Sequence, residues 1–235
     1  YSPVRELLNG FIRSDSDLLD TRTIKYFKDV YDHIVQALEL SENYRDIMVS
    51  LQDLHINNVN LRMNEVMVEA AAIKSTDKVL DAGCGVGGSS IFIATALGCK
   101  VTGITISERQ MQQATSNARQ KGVEQLADFK AMNYCATGFP DASFDVVWGC
   151  ESICYADSKE QFIKEAYRLL RPGGRLVIAD GFVTDFVSND NSIIRQWLDG
   201  WQVNYLESPE RLQKFMEQAG FDTIKYRNIS KEAAH

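Results

Sequence analysis

The segment Asp81-Ala82-Gly83-Cys84-Gly85-Val86-Gly87-Gly88 constrains this chain more than any other. Its glycines let the backbone turn sharply and come close to a ligand. A short apolar run, 78–82, precedes it and an apolar helix around 91–97, stopped by Gly98, follows it. A strand feeding a helix through such a loop is a unit of a parallel, doubly wound sheet.

The pattern repeats downstream. Strand 100–105 leads to Ser107, a helix N-cap, and to a helix running to Lys121 and closed by Gly122. Strands at 128–132 and 145–148, a helix at 159–170, the turn Arg171-Pro172-Gly173-Gly174 and a strand at 175–179 continue the alternation. Ser208-Pro209 is an N-cap with Pro at the first helical position. Leu212, Phe215, Met216 and Ala219 then form the apolar stripe of a core-facing helix, which Gly220 ends. A last strand is expected at 221–226. The fold class is therefore α/β, a Rossmann-like doubly wound and mostly parallel sheet with helices on both faces. Residues 1–60 read as an N-terminal helical cap or lid, and 61–235 as the Rossmann-like domain. Too few residues follow 226 to pair a further strand, so a truncated or partly disordered tail is expected.

Composition excludes several function classes. The chain has 235 residues, within the range of one α/β domain, and a net charge of −7. That sign opposes a phosphate backbone as ligand, so no nucleic-acid partner is expected. The five cysteines show no CxxC spacing and fit reduced thiols in the cytoplasm. His33, His55 and His235 are scattered, so no metal site is expected. No apolar run is long enough for a membrane span. The start has no signal-peptide pattern and no initiator Met, as in a processed or trimmed string.

The loop's G-x-G-x-x-G spacing (Gly83, Gly85, Gly88) also satisfies the dinucleotide fingerprint. Two local features oppose that ligand. Asp81 sets a carboxylate beside the loop, where a pyrophosphate is repelled and an ammonium is welcome. At the end of the next strand, where an NAD enzyme carries an acid for the ribose, this chain has Thr105.

Residues 79–88 resemble the first motif of class I S-adenosylmethionine (AdoMet)-dependent methyltransferases. The likeness extends through Gly103-Ile104-Thr105-Ile106-Ser107, Phe139-Pro140-Asp141, Phe144-Asp145-Val146-Val147-Trp148, Glu151-Ser152 and Leu170-Arg171-Pro172-Gly173-Gly174-Arg175-Leu176. It is greatest toward the small-molecule branch with the tocopherol, sarcosine/dimethylglycine and geranyl diphosphate methyltransferases. The resemblance implies AdoMet as cofactor and S-adenosyl-L-homocysteine as product. It places the methionine part of the cofactor against Gly83 and Gly85, with Asp81 below its amino group. Thr105 and Gln110 take the ribose, as in the branch shared with cyclopropane synthases. Ser107-x-x-Gln110 is equally a capping box. Asn133 stands at the adenine-binding acid of the family, and Ile106, Tyr134 and Cys150 complete the expected cofactor contacts.

On the acceptor side, the resemblance points Glu151 and Tyr155 into the site as the catalytic candidates. Glu151 is suited to binding a cation, stabilising a carbocation or removing a proton; its structural alternative is a carboxylate receiving backbone N–H groups. Tyr155 stands where many relatives carry His. Phe182, Trp197 and Trp201 offer aromatic walls, Tyr26 a lid contact, and each has core packing as its alternative. His55 resembles part of a family lead-in whose other residues are missing. The expected activity is methyl transfer to a small-molecule acceptor by a monomer or homodimer. The alternatives are carbon methylation or cyclopropane formation on an alkene or isoprenoid, an NAD-dependent oxidoreductase, and a non-catalytic AdoMet-binding subunit.

Overall fold

A computed structural model of the chain describes residues 2–13 and 20–230, without the side chains of residue 2 and residues 49–58. The chain divides into two compact units, Tyr1–Val59 and Asn60–His235.

The first unit is helical. It holds α1 (Ser2–Arg13) and most of α2 (Thr21–Ala71). Asp20 opens α2 by accepting the Thr23 backbone N–H at 2.6 Å. Phe11 of α1 stacks on Phe27 of α2 with centroids 5.4 Å apart. No Gly or Pro occurs between 21 and 71, so nothing in the backbone breaks the helix before Ala71. α2 thus runs to Ala71 as one continuous helix.

The second unit contains a sheet of five parallel strands in the order β3-β2-β1-β4-β5. They are β1 (Lys78–Ala82), β2 (Lys100–Thr105), β3 (Ala127–Ala131), β4 (Phe144–Cys150) and β5 (Leu170–Ala179). Between them run α3 (Gly88–Leu97), α4 (Glu108–Lys121) and α5 (Lys159–Leu169), followed by α6 (Ser192–Trp201) and α7 (Pro209–Ala219). Val79, Val101, Val146 and Trp148 face one core with Met67, Ile93 and Ala118, from α2, α3 and α4. Leu80, Ile104 and Val147 face the other with Phe162, Ile163 and Leu212, from α5 and α7. Both sheet faces are covered, which is why the central strands read as near-continuous apolar runs. Each such fully buried side chain contributes about 2 kcal/mol.

Two strand expectations are corrected. β5 begins at Leu170, not 175, because Leu170 already pairs with Phe144; the Arg171–Gly174 turn is carried as an irregularity before pairing resumes at Arg175↔Val146. Residues 221–226 form no strand. A strand requires a hydrogen-bonded neighbour, and the five-stranded sheet ends at β5 without one for this segment among the described residues. Residues 231–235, including His235 and the end of the expected tail, lie outside the described residues.

The order places β1 and β4 at the centre, with the chain reversing its direction of travel across the sheet between them. Ligands of open parallel sheets bind at the carboxyl ends of the strands beside such a switch point. The carboxyl ends here are Ala82, Thr105, Ala131, Cys150 and Ala179.

Candidate active site

The glycine loop leaves β1 with its backbone bound to β2: the Gly83 and Cys84 N–H groups both donate to Ile104 O at 2.9 Å. Gly83 has φ +89, and a Cβ there would lie 2.5 Å from Ser152 Cβ. Ser152, just past β4, donates to Ala82 O at 2.6 Å, so the loop is clamped between β2 and the β4 exit. Gly85 differs. Its φ is +53, and a Cβ on it would meet nothing within 4 Å. One glycine is required by packing, while the other has open space where a side chain would stand.

Asp81, the residue before this turn, is buried and accepts the Ser90 hydroxyl at 2.6 Å. Burial pushes its carboxyl up to about 6, against the downward pull of the Ser90 bond. No cation of the chain pairs with it among the described residues. A carboxylate in this condition gains from an ammonium group brought to the loop. Together with the open space at Gly85, this arrangement fits an amino-acid-bearing cofactor and disfavours a pyrophosphate.

At the end of β2, Thr105 is buried and its hydroxyl donates to Gln110 Oε1 at 2.8 Å. The Thr105 hydroxyl oxygen in turn accepts the Ser107 N–H at 3.3 Å. Ser107 caps α4 by accepting the Gln110 N–H at 3.3 Å. The capping box is therefore half made: the Gln110 side chain turns to Thr105 and not to the Ser107 N–H. This leaves its carboxamide NH2 as the donor the pair presents. Ile106 is 80% exposed beside them.

Beyond β3, Asn133 is exposed and its Oδ1 accepts the Cys135 N–H at 2.8 Å. The side chain is thus set in a turn, with one lone pair of Oδ1 still to use. Tyr134 donates its hydroxyl to Ser152 O at 3.0 Å and packs edge-on against Phe162, so its ring is built into the core beneath Gly83. Burial, with nearby negative charge, pushes its hydroxyl pKa up. Cys150 contacts Met63 with its sulfur 3.6 Å from Sδ, and burial, followed by the Asp81 and Glu151 charges, pushes its thiol up to about 12. It is a packing group at physiological pH.

The loop from β3 to β4 is held from α5. Glu165 accepts the Thr137 N–H and hydroxyl at 2.9 and 2.7 Å, and Arg168 forks onto Glu165 at 2.7 and 2.9 Å. Arg168 also reaches Phe139 O at 2.8 Å and Asp141 at 2.5 Å. The Arg168 hydrogen bond, outweighing burial and joined by the Thr137 bonds, draws the Glu165 carboxyl down to about 2. The Phe139-Pro140-Asp141 motif is thereby anchored to the helix.

The carboxyl end of β4 carries the acceptor candidates. Glu151 stands in the left-handed region at φ +48, a conformation that costs a non-glycine residue about 1 kcal/mol or more. Its N–H donates to Ala179 O at 2.8 Å, while its carboxylate receives no hydrogen bond or ion pair among the described residues. The structural alternative of a carboxylate taking backbone N–H groups is not what forms. Partial burial, and the nearby charge of Asp180, push its pKa up. Tyr155 closes the short turn Ile153–Tyr155 and is about half exposed. Burial is the first cause of its raised pKa. Asp180, which the sequence reading passed over, directly follows β5 and accepts the Cys154 N–H at 2.9 Å. Its position after a strand end was the available signal.

Phe182 is partly buried, packed on the α5–α7 core, and lines a small cavity beside Asp180. Trp197 and Trp201 have ring centroids 6.0 Å apart on α6 and are 46% and 59% exposed, so neither is core. Tyr26 is exposed and belongs to the first unit. The His55 side chain lies outside the described residues.

Comparison with known proteins assigns the arrangement. Residues 80–178 match the family described as "Methyltransferase domain". An O-methyltransferase named rstn1 from Aspergillus nomiae is 34% identical over 152 residues, covering 65% of this chain and 67% of that protein. The solved geranyl diphosphate methyltransferase in complex with SAM is 26% identical with a TM-score of 0.63, over 68% of this chain and 64% of that one. The [4+2]-cyclase SpnF is also 26% identical, with a TM-score of 0.65 over 74% of this chain and 61% of that one. The chain belongs to the class I S-adenosylmethionine-dependent methyltransferase family. It spans 62%, 46% and 45% of the length of three further curated relatives. Residues 1–68 match a second family, described as "CorA-like Mg2+ transporter protein", over α1 and most of α2. No helix among the described residues is long and apolar enough to cross a membrane.

Proposed function

We propose that the protein transfers the methyl group of S-adenosyl-L-methionine to a small-molecule acceptor and releases S-adenosyl-L-homocysteine. The observation that carries this reading is the buried Asp81, without a cation partner among the described residues, next to a glycine loop that is open at Gly85. The cofactor supplies an activated methyl on a sulfonium with a neutral leaving group, so little covalent help is needed from the protein. Gly83 and Gly85 shape the cradle for its amino-acid part, and Asp81 balances the ammonium. Thr105 and Gln110 offer a hydroxyl and a carboxamide to ribose hydroxyls. Asn133 Oδ1 accepts from the exocyclic amine, with Ile106 as an apolar neighbour. Tyr134 and Cys150 support the cradle by packing. Glu151 and Tyr155 face the acceptor: Glu151 with a free carboxylate for a cation or a proton, Tyr155 with an orienting hydroxyl. Phe182, Trp197 and Trp201 are proposed as apolar walls.

The acceptor is a small molecule and not a nucleic acid, in keeping with the net charge of −7. The free cysteines favour a cytoplasmic setting, and the protein acts as a monomer or homodimer. Calorimetric titration with S-adenosylhomocysteine and with NAD tests the cofactor reading. Binding of the first alone is expected; binding of NAD alone returns the site to an oxidoreductase.

A second reading has its own support. SpnF, named a [4+2]-cyclase, has this fold at similar identity, so a bound cofactor need not mean methyl transfer. Tight S-adenosylhomocysteine binding without turnover would favour it. Carbon methylation of an alkene, with Glu151 stabilising the cation, is a variant of the main reading.

A further inference from the structure

Lys159 is the first residue of α5, yet its side chain is 2% exposed. Its ammonium donates to Cys154 O and to Ala156 O, both at 2.8 Å, and lies 3.8 Å from the Tyr205 ring centroid. No described carboxylate comes within 4.0 Å of it. A buried cation without an ion-pair partner is costly, and its hydrogen bonds must offset that cost. What it holds is the carbonyl end of the Ile153–Tyr155 turn, the negative end of that turn's dipole. Asp180 holds the same turn from the other side through the Cys154 N–H at 2.9 Å.

The surroundings set the charge. Glu207, 3% exposed, has one oxygen on Arg211 at 3.2 Å and the other without a partner. Both it and Asp180 line, with Lys159, a cavity of about 10 Å³, room for about one water. Burial lowers the Lys159 pKa, and the charges of Cys154, Glu207, Asp180 and Asp157 oppose it only in part. The turn so clamped follows Glu151 and carries Tyr155.

We infer that Lys159 is a positioning residue, whose two hydrogen bonds to Cys154 O and Ala156 O fix the turn that presents Tyr155 and Glu151 to the acceptor. The acceptor part of this inference rests on the proposed function; the clamp does not.

Lys159→Met, Lys159→Arg and the wild type, each saturated with S-adenosylhomocysteine, are compared by amide hydrogen exchange. The Cys154, Tyr155 and Ala156 amides are all hydrogen-bonded in this turn. In Lys159→Met they are expected to exchange at least tenfold faster, while the amides of β1 and β4 keep their rates. Lys159→Arg is expected to stay within threefold of wild type. S-adenosylhomocysteine affinity should remain within twofold in both variants. In an assay with labelled AdoMet and the small-molecule fraction of a cell extract, Lys159→Met should lower the maximal rate at least tenfold at an unchanged KM for AdoMet, and Arg should restore it. Unchanged exchange in the turn, or faster exchange throughout the sheet, overturns the clamp. Faster exchange of the turn with an undiminished rate overturns its link to the acceptor. A wild type that transfers no label defeats the proposed function instead, and the exchange rates still decide the clamp. If Lys159→Met fails to fold, Tyr205→Leu removes the ring under the ammonium and should speed the same three amides about threefold.

Discussion

Replacing Asp81 by Asn separates the charge of this buried group from its hydrogen bond. The Ser90 hydroxyl, 2.6 Å away, can donate to an amide oxygen as readily as to a carboxylate. The ionisation is what disappears. Asp81 is held near 6 in the folded protein against 3.8 in its ordinary state. A shift of about 2 units is worth about 3 kcal/mol. The folded value lies above the unfolded one. The group's favourable contribution is therefore full below about pH 4 and is lost as the pH rises through about 6. About 2 kcal/mol of this falls between pH 4.5 and 7.5. Urea unfolding of both proteins across that range should show the Asn variant gaining on the wild type by about that amount as the pH rises. The difference between the two curves removes the titration of every other group. A bound ammonium reverses the balance, because it stabilises the carboxylate. S-adenosylhomocysteine should therefore bind the Asn variant at least tenfold more weakly at pH 7.5, and bind the wild type more weakly below pH 6. Parallel stability curves would refute the raised pKa of Asp81, and equal affinities at pH 7.5 would refute the placement of a cation over it.

The two loop glycines should respond differently to Ala. Gly83→Ala forces a Cβ to 2.5 Å from Ser152 and should cost about 3 kcal/mol or more in denaturant unfolding. Gly85→Ala, in open space at φ +53, should cost only about 1 kcal/mol yet weaken S-adenosylhomocysteine binding in calorimetry. Glu151→Gln should lower methyl transfer at least a hundredfold, with S-adenosylhomocysteine affinity within twofold; an equal loss of both would make Glu151 structural. Glu165 carries a folded value of about 2 against 4.5. It therefore stabilises above pH 4.5 and loses that contribution as the pH falls through about 2. Glu165→Gln should cost about 3 kcal/mol at pH 7 and progressively less in acid, as read by urea unfolding at each pH.

Much of the fold was legible because its signals are local. Ser107 and Gly122 bound α4, and Ser208, Pro209 and Gly220 bound α7, through bonds made within a turn of each end. β1 and β2 were placed to the residue by apolar runs that both sheet faces bury. The failures share a cause. Residues 221–226 have strand composition, but a strand also needs a neighbour, and pairing is not written in its own residues. The start of β5 at Leu170 depends likewise on Phe144 across the sheet. In the site, the glycine loop, Asp81 and Thr105 could be read from position along the chain. That the Gln110 side chain bonds Thr105 and not the Ser107 N–H emerged only in three dimensions. Glu165, Arg168 and Lys159 were invisible as supports, because the carbonyls and amides they hold belong to distant loops. The exposure of Trp197 and Trp201 was also beyond a helical-spacing argument, which fixes a shared face but not what covers it.

The most direct test of the account is transfer from methyl-labelled AdoMet in a cell extract separated into small-molecule and macromolecular fractions. The account predicts label in the small-molecule fraction, dependent on active protein and abolished by excess S-adenosylhomocysteine. Label confined to macromolecules, or no transfer by a protein that binds S-adenosylhomocysteine, would contradict it.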